Sequence, residues 1–258
     1  INPDYAEAHN NLGVTIQELG QLDKAAKCYE QALAIKPDYA EAHNNLGNAF
    51  KDLAQLDAAV KCYEQALAIK PDYAEAHNNL GNAFKDLNQL DAAVKSYMEA
   101  LDIQPNYTEA LNHLGLALRD LGQLDAAIKC YEKVLVIKPD FADAHYNLGI
   151  IMQDLGQLDE ALISYDRAIT INPNINYILG VLLQAKMYLC IWDDFPSQLN
   201  ELTKKINDGE KVITPFGLLA LIDDPEIQRK NAKTLVNDKL RKSNALSKIE
   251  RYPKHKKI

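Results

Sequence analysis

Carboxamides recur along this chain in a fixed 34-residue phase. Asn11, Asn45, Asn79 and Asn147 hold one position, with His113 interrupting, and Asn10, Asn44, Asn78 and Asn112 hold the residue before. A carboxamide carries a donor and an acceptor and can pair with both halves of a peptide bond. Rows about 10 Å apart, as on packed helices, match every third residue of an extended chain rising roughly 3.3 Å per residue. The chemistry offered is sequence-tolerant recognition of polypeptide backbone. The same helical face carries Asn48 and Asn82, Lys51 and Lys85, and Asp52, Asp86, Asp120 and Asp154. Asn is a mediocre helix former, so its recurrence needs either this function or plain copying of an ancestral repeat. Each net hydrogen bond contributes about 0.5–1.5 kcal/mol, so firm binding requires several rungs to engage together.

Other chemistries fit the sequence poorly. His9, His43, His77 and His145 share a phase in which the fourth copy has Leu111. A slot that accepts Leu is a packing slot, and copies about 10 Å apart cannot share one zinc at roughly 2 Å. No metal or cofactor is expected. No Gly-rich phosphate loop, HExxH or GxSxG occurs, so no catalytic residue is assigned. The carboxylate pairs Asp193-Asp194 and Asp223-Asp224 could be proposed as acid/base groups, but Asp224 reads better as an N-cap ahead of Pro225. The basic end from Lys239 to Lys257 lacks the interleaved aromatics of a nucleic-acid surface and reads as a solvated linker.

The elements that must position the asparagines follow from the same period. Ala-Glu-Ala-His-Asn-Asn-Leu-Gly begins at Ala6, Ala40 and Ala74, with looser copies from Thr108 and Ala142; residues 40–73 and 74–107 differ at seven positions. Such a period marks a stacked array. Ala42, Leu46, Ala49, Phe50 and Leu53 lie at helical spacing. A break follows, filled by Gly20, Gly122 or Gly156 in three copies, as expected past a helix end. Asp57 is expected to N-cap a second helix carrying Ala59, Val60, Tyr63, Ala66, Leu67 and Ile69, which Pro71 stops. Each unit is therefore helix A, turn, helix B, turn. Gly47, Ala59 and Ala66 leave room for Leu46, Phe50 and Tyr63 to interlock.

Leu-Gly, an aromatic or aliphatic three residues on, two later alanines and a closing proline make each unit resemble the tetratricopeptide repeat. The resemblance covers 6–175 as five repeats: 6–39, 40–73, 74–107, 108–141 and 142–175. Val134 departs from the usual Ala. It implies an all-α, right-handed superhelix whose A helices line the concave face. Residues 1–5 match the end of a preceding repeat, so the chain is expected to begin inside a longer array. The open first repeat is then expected to associate end to end with a second copy.

Cys28, Cys62 and Cys130 share a phase with Ser96, and Cys190 stands apart. Exchange with Ser argues for a small packing residue rather than zinc or a disulfide, and for a reducing, intracellular compartment, cytoplasmic or nucleocytoplasmic. No apolar run is long enough to span a membrane. Residues 1–175 hold 13 Lys/Arg against 26 Asp/Glu, and residues 176–258 hold 15 against 10. This reversal of charge falls where the period is lost, which marks a boundary.

After Pro173 the chain reads Gln184-Ala185-Lys186-Met187, Cys190-Ile191-Trp192-Asp193-Asp194-Phe195, Pro215-Phe216-Gly217-Leu218-Leu219-Ala220-Leu221 and Asp223-Asp224-Pro225-Glu226-Ile227-Gln228. This order resembles the segment joining repeats to catalytic domains in O-linked N-acetylglucosamine transferases and SPINDLY-type protein O-glycosyltransferases. Ile222 departs from the small polar residue of that pattern. The resemblance ends near Ile258, ahead of the two domains that would hold the sugar nucleotide. It implies a non-catalytic region recruiting polypeptide substrates or partners for such an enzyme. The alternative is a free-standing repeat scaffold for protein–protein interaction. In either case the partner is a protein or extended peptide in the concave groove, with neither nucleic acid nor membrane involved.

A repeat stack needs its last face covered. Residues 176–243 are expected to do so with helices near 177–190, 195–207, 215–221 and 225–243. The cover is drawn from Leu179, Leu182, Leu183, Trp192, Phe195 and the 216–221 run, and 244–258 follow as a basic linker.

Overall fold

The computed structural model describes residues 5–242, so the expectations for 1–4 and 244–258 fall outside the described residues. Within it the chain is all α-helical and has no strand. Five A helices, α1 (Ala6–Glu18), α3 (Ala40–Asp52), α5 (Ala74–Asp86), α7 (Thr108–Asp120) and α9 (Ala142–Asp154), alternate with B helices. These are α2 (Leu22–Ile35), α4 (Leu56–Ile69), α6 (Leu90–Ile103), α8 (Leu124–Ile137) and α10 (Leu158–Ile171). Four more follow: α11 (Ile178–Tyr188), α12 (Phe195–Asn207), α13 (Pro215–Leu219) and α14 (Pro225–Lys242). The chain divides into two compact units, 1–147 and 148–258.

In the first unit, small residues decide how closely each helix pair approaches. A Cβ placed on Gly47 would stand 2.6 Å from Cε1 of Tyr63, and Gly13, Gly81 and Gly115 meet Tyr29, Tyr97 and Tyr131 in the same way. Ala25, Ala59, Ala93 and Ala127 are fully buried, as are Ala42, Ala76 and Ala110. Phe50 packs into the clusters on both sides of it, joining Tyr29 and Leu46 to Tyr63 and Leu80. Val134, the departure from Ala, is also fully buried. Each A helix touches the next A helix (α1 with α3, α3 with α5, α5 with α7) as well as its own B helix. No two B helices meet as closely, so within this unit the A helices form the inner layer.

One local expectation within the repeats differs from the structure. Asp57 does not cap α4; Gln55 holds that position without a side-chain bond, and Asp57 sits in the first turn. There its charge faces the helix's positive end. The breaks close in the left-handed conformation, with Gly20, Gly122 and Gly156 at φ of 72–76°. Ala54 and Asn88 take it up at 59° in the second and third repeats.

In the second unit, α10 packs against α11, and a core of Leu179, Leu183, Leu202, Ile206, Val212, Ile213 and Leu218 binds α11, α12 and α13 together. The 211–213 segment lies across the start of α11, where the Tyr177 and Gly180 amides donate to the Lys211 and Val212 carbonyls. Asp224 does cap α14, accepting from the amides of Glu226 and Ile227 at 2.8 and 3.3 Å. Leu179, Leu182 and Leu183 are buried as expected, and Phe195 packs on the core. Trp192, Phe216 and Leu219 are not part of the cover: they are 55%, 86% and 59% exposed. In the short α13, Phe216 and Leu219, three residues apart, share the outward side, so only Gly217 and Leu218 go inward.

Candidate functional site

The inner layer of A helices brings the two asparagine rows together as one ladder. Asn45 Nδ2 donates to Asn10 Oδ1 at 3.0 Å, Asn79 to Asn44 at 3.0 Å, and Asn147 to Asn112 at 3.3 Å. Every bond runs from one repeat to the repeat before it. The sequence treats His113 as an interruption; in the structure its Nδ1 lies 3.0 Å from Asn78 Oδ1 and completes the missing rung. Asn78 presents a carbonyl oxygen, so His113 Nδ1 carries the hydrogen and Nε2 is left as an acceptor. Burial, then the charges of Lys85 and Lys51, hold the imidazole down at about 4. It is neutral at pH 7.

The rows play different parts. Asn10, Asn44, Asn78 and Asn112 are buried, and Asn44 also donates to Glu75 Oε1 at 3.3 Å. Asn44 and Asn78, expected to touch peptide, instead receive the bonds that hold Asn79 and His113 in place. Asn147 is buried too. Asn11 is exposed, and Asn45 and Asn79 are half-buried, each with one amide hydrogen committed to the ladder. One hydrogen and the carbonyl oxygen of each remain for another partner.

A second set of polar bonds lies one turn further along. Tyr63 and Tyr97 donate their hydroxyls to Asn48 and Asn82 Oδ1 at 2.7 and 2.8 Å. Tyr29 and Tyr165 donate to Gln17 and Gln153 instead, both at 3.0 Å. Gln17 also donates to Asp52 of the next repeat at 3.0 Å. Lys51 and Lys85 are half-buried, and Asp86, Asp120 and Asp154 are exposed at the ends of their helices. Asp120 pairs with Arg119 at 3.2 Å. In the first unit the expected residues thus share one wall, with amide, ammonium and carboxylate groups repeating from helix to helix.

The histidine slot does more than fill space. His43, His77 and His145 each place Nε2 2.9–3.0 Å from the carbonyl of Pro37, Pro71 or Pro139 in the turn before their helix. They tie that turn to the A helix, and Leu111 leaves the fourth turn without the tie. The sequence names the residues but not the bonds, because a contact six residues back across a turn has no periodic signature.

Comparison with known proteins bears on this architecture. A family model described as TPR repeat matches residues 17–54, 47–87, 81–118 and 115–156, and one described as Tetratricopeptide repeat matches 142–175. No curated protein matches the chain. Among solved structures, YrrB, described as a TPR protein with an unusual peptide-binding site, is 27% identical. That match covers 72% of this chain and 94% of YrrB, with a TM-score of 0.58. PilF of Pseudomonas aeruginosa is 20% identical over 77% of this chain and 90% of its own, with a TM-score of 0.71. Cut9, solved as a hetero-tetramer with Hcn1, is 15% identical over 91% of this chain and 44% of its own, with a TM-score of 0.68. The last two share the fold alone.

Proposed function

Since the chain belongs to the tetratricopeptide repeat family, we propose that it is a protein–protein interaction scaffold that holds an extended polypeptide along its A helices. The observation carrying this reading is the ladder itself. Buried Asn10, Asn44, Asn78 and Asn112 fix the side chains of the next repeat, leaving half-buried Asn45 and Asn79 with an oxygen and a hydrogen each for a peptide. Asn11, Asn48, Asn82, Lys51, Lys85 and the aspartates at 52, 86 and 120 flank that path. Pre-set amides lower the entropy lost on binding. The likeness to YrrB, a TPR protein with an unusual peptide-binding site, supports the same reading. Four free cysteines, Cys28, Cys62, Cys130 and Cys190, suit a reducing compartment. Fluorescence anisotropy with a labelled extended peptide tests it. Asn45→Ala combined with Asn79→Ala weakens binding severalfold at unchanged helicity, and equal affinity would remove the ladder from the site.

A finer reading is that the scaffold recruits substrates for a protein O-glycosyltransferase. Its support is the ordered run from Gln184 to Gln228, including Cys190-Ile191-Trp192-Asp193-Asp194-Phe195. Reading the gene beyond Ile258 tests it: sugar-nucleotide-binding domains there agree with it, and a stop codon leaves a free-standing scaffold.

A further inference from the structure

Five tyrosines, Tyr29, Tyr63, Tyr97, Tyr131 and Tyr165, hold one phase of the repeat, all 1% exposed or less. Four give their hydroxyl hydrogen to an amide oxygen on their own A helix. It comes from Asn48 or Asn82 in the middle repeats and from Gln17 or Gln153 in the first and fifth. The fourth repeat has neither. Leu116 stands where Asn48 and Asn82 stand, and Arg119 where Gln17 and Gln153 stand. The Tyr131 hydroxyl is accordingly buried with no partner. A buried hydroxyl left unmatched costs about 1–3 kcal/mol, so the exchange of an acceptor for an arginine opposes stability.

We infer that the wall of the fourth repeat, formed by Leu116, Arg119 and Tyr131, is a selective subsite that takes a carboxylate side chain of the bound polypeptide. The inference rests on the peptide-binding reading above. Both polar groups there are donors: the Tyr131 hydroxyl and a guanidinium that places one nitrogen on the neighbouring Asp120. A carboxylate offers its oxygens to the half-buried arginine fork, and it meets the Tyr131 hydroxyl, sealed from solvent in the free protein, once the bound side chain displaces the cover above it. The setting favours an anion as well. Lys51 and Lys85 occupy the Arg119 phase in the two preceding repeats, and both depress the basicity of His113, where Glu109 acts the other way. Leu116 is half-buried and flanks the side chain's methylenes. Elsewhere the wall reads backbone; here it reads one acidic residue.

The test uses three fluorescein-labelled dodecapeptides of alternating Ser and Ala, identical except for a single central Glu, Gln or Lys. The Glu probe binds about fivefold more tightly than the Gln probe, as one partly screened ion pair gives, and the Lys probe binds weakest. Arg119→Gln installs the residue that already satisfies Tyr165 and brings the Glu-to-Gln ratio close to one. Leu116→Asn, which copies Asn48, gives Tyr131 an internal acceptor and lowers the ratio while keeping the charge. Lys129→Gln, an equal loss of charge on the exposed side of α8, leaves the ratio unchanged. Glu and Gln probes of equal affinity, or a ratio that survives Arg119→Gln, would overturn the subsite while the peptide-binding reading stands. No binding by any probe would overturn both.

Discussion

Asn79 donates its side-chain amide to Asn44 of the preceding repeat over 3.0 Å, and Asn44, wholly buried, passes its own amide on to Glu75. One residue thus links two layers through both halves of its carboxamide. Asn44→Ala strands the amide of Asn79 beside a buried wall, a loss of about 1–3 kcal/mol. In urea unfolding, the cycle of Asn44→Ala, Asn79→Ala and the double variant yields a coupling of about 0.5–1.5 kcal/mol. Additive effects would show that the bond contributes nothing to stability.

The tyrosine hydroxyls allow a sharper comparison. Tyr97→Phe removes a bond to Asn82 and lowers stability by about 1 kcal/mol, whereas Tyr131→Phe removes an unpaired buried hydroxyl. The second variant is as stable as the parent or more so. Equal losses in thermal unfolding would mean that Tyr131 has an acceptor after all.

Glycines of two kinds respond differently to alanine. Gly47→Ala drives a Cβ into the Tyr63 ring and costs about 1–3 kcal/mol through overpacking. Gly122→Ala meets nothing, yet sits at φ of 75° and costs about 1–2 kcal/mol through the backbone alone. Conversely, Ala54, strained at 59°, gains stability on Ala54→Gly, by about 1 kcal/mol. Tyr63→Leu in the Gly47→Ala background recovers part of the loss only if crowding is its cause.

His113 gives the fold a pH dependence of known sign. Its folded-state value is about 4 against an ordinary 6.5, so between those limits the unfolded chain holds a proton that the folded chain does not. The stability it contributes is complete above pH 6.5 and is lost as pH falls toward 4, about 1–3 kcal/mol after solvent screening. His113→Asn restores the rung found at Asn45 and Asn79 without a titrating group. Unfolding free energies of the two proteins therefore diverge from pH 6.5 down to 4. Parallel curves would show that the imidazole titrates normally.

Much of the architecture is legible in the sequence because each repeat states it again. The Leu46, Phe50 and Tyr63 series, the left-handed glycines and the prolines mark both helices and both turns. The Asp224 cap follows from the residue pair alone. The expected cap at Asp57 fails because Gln55 begins the helix one residue before Leu56, a boundary that composition does not resolve. The asparagine rows are visible as a pattern, but whether a carboxamide faces a guest or its neighbour depends on a register between layers that no single repeat encodes. For that reason Asn44 and Asn78 turn out to hold the wall up, and His113 to complete it. Trp192 and Phe216 read as core from their size, yet Trp192 lies in the turn between α11 and α12 and Phe216 on the outward side of the short α13.

Central to the account is that the half-buried amides of Asn45 and Asn79 meet a bound chain. Side-chain amide resonances followed by NMR, during titration with the labelled Ser/Ala peptide carrying central Glu, test this most directly. The account expects the Asn45, Asn79, Asn48 and Asn82 side-chain signals to shift in a saturable manner, with those of Arg119 following. Saturable shifts confined to the exposed faces of α2, α4, α6 and α8, with the asparagine signals unmoved, would contradict it.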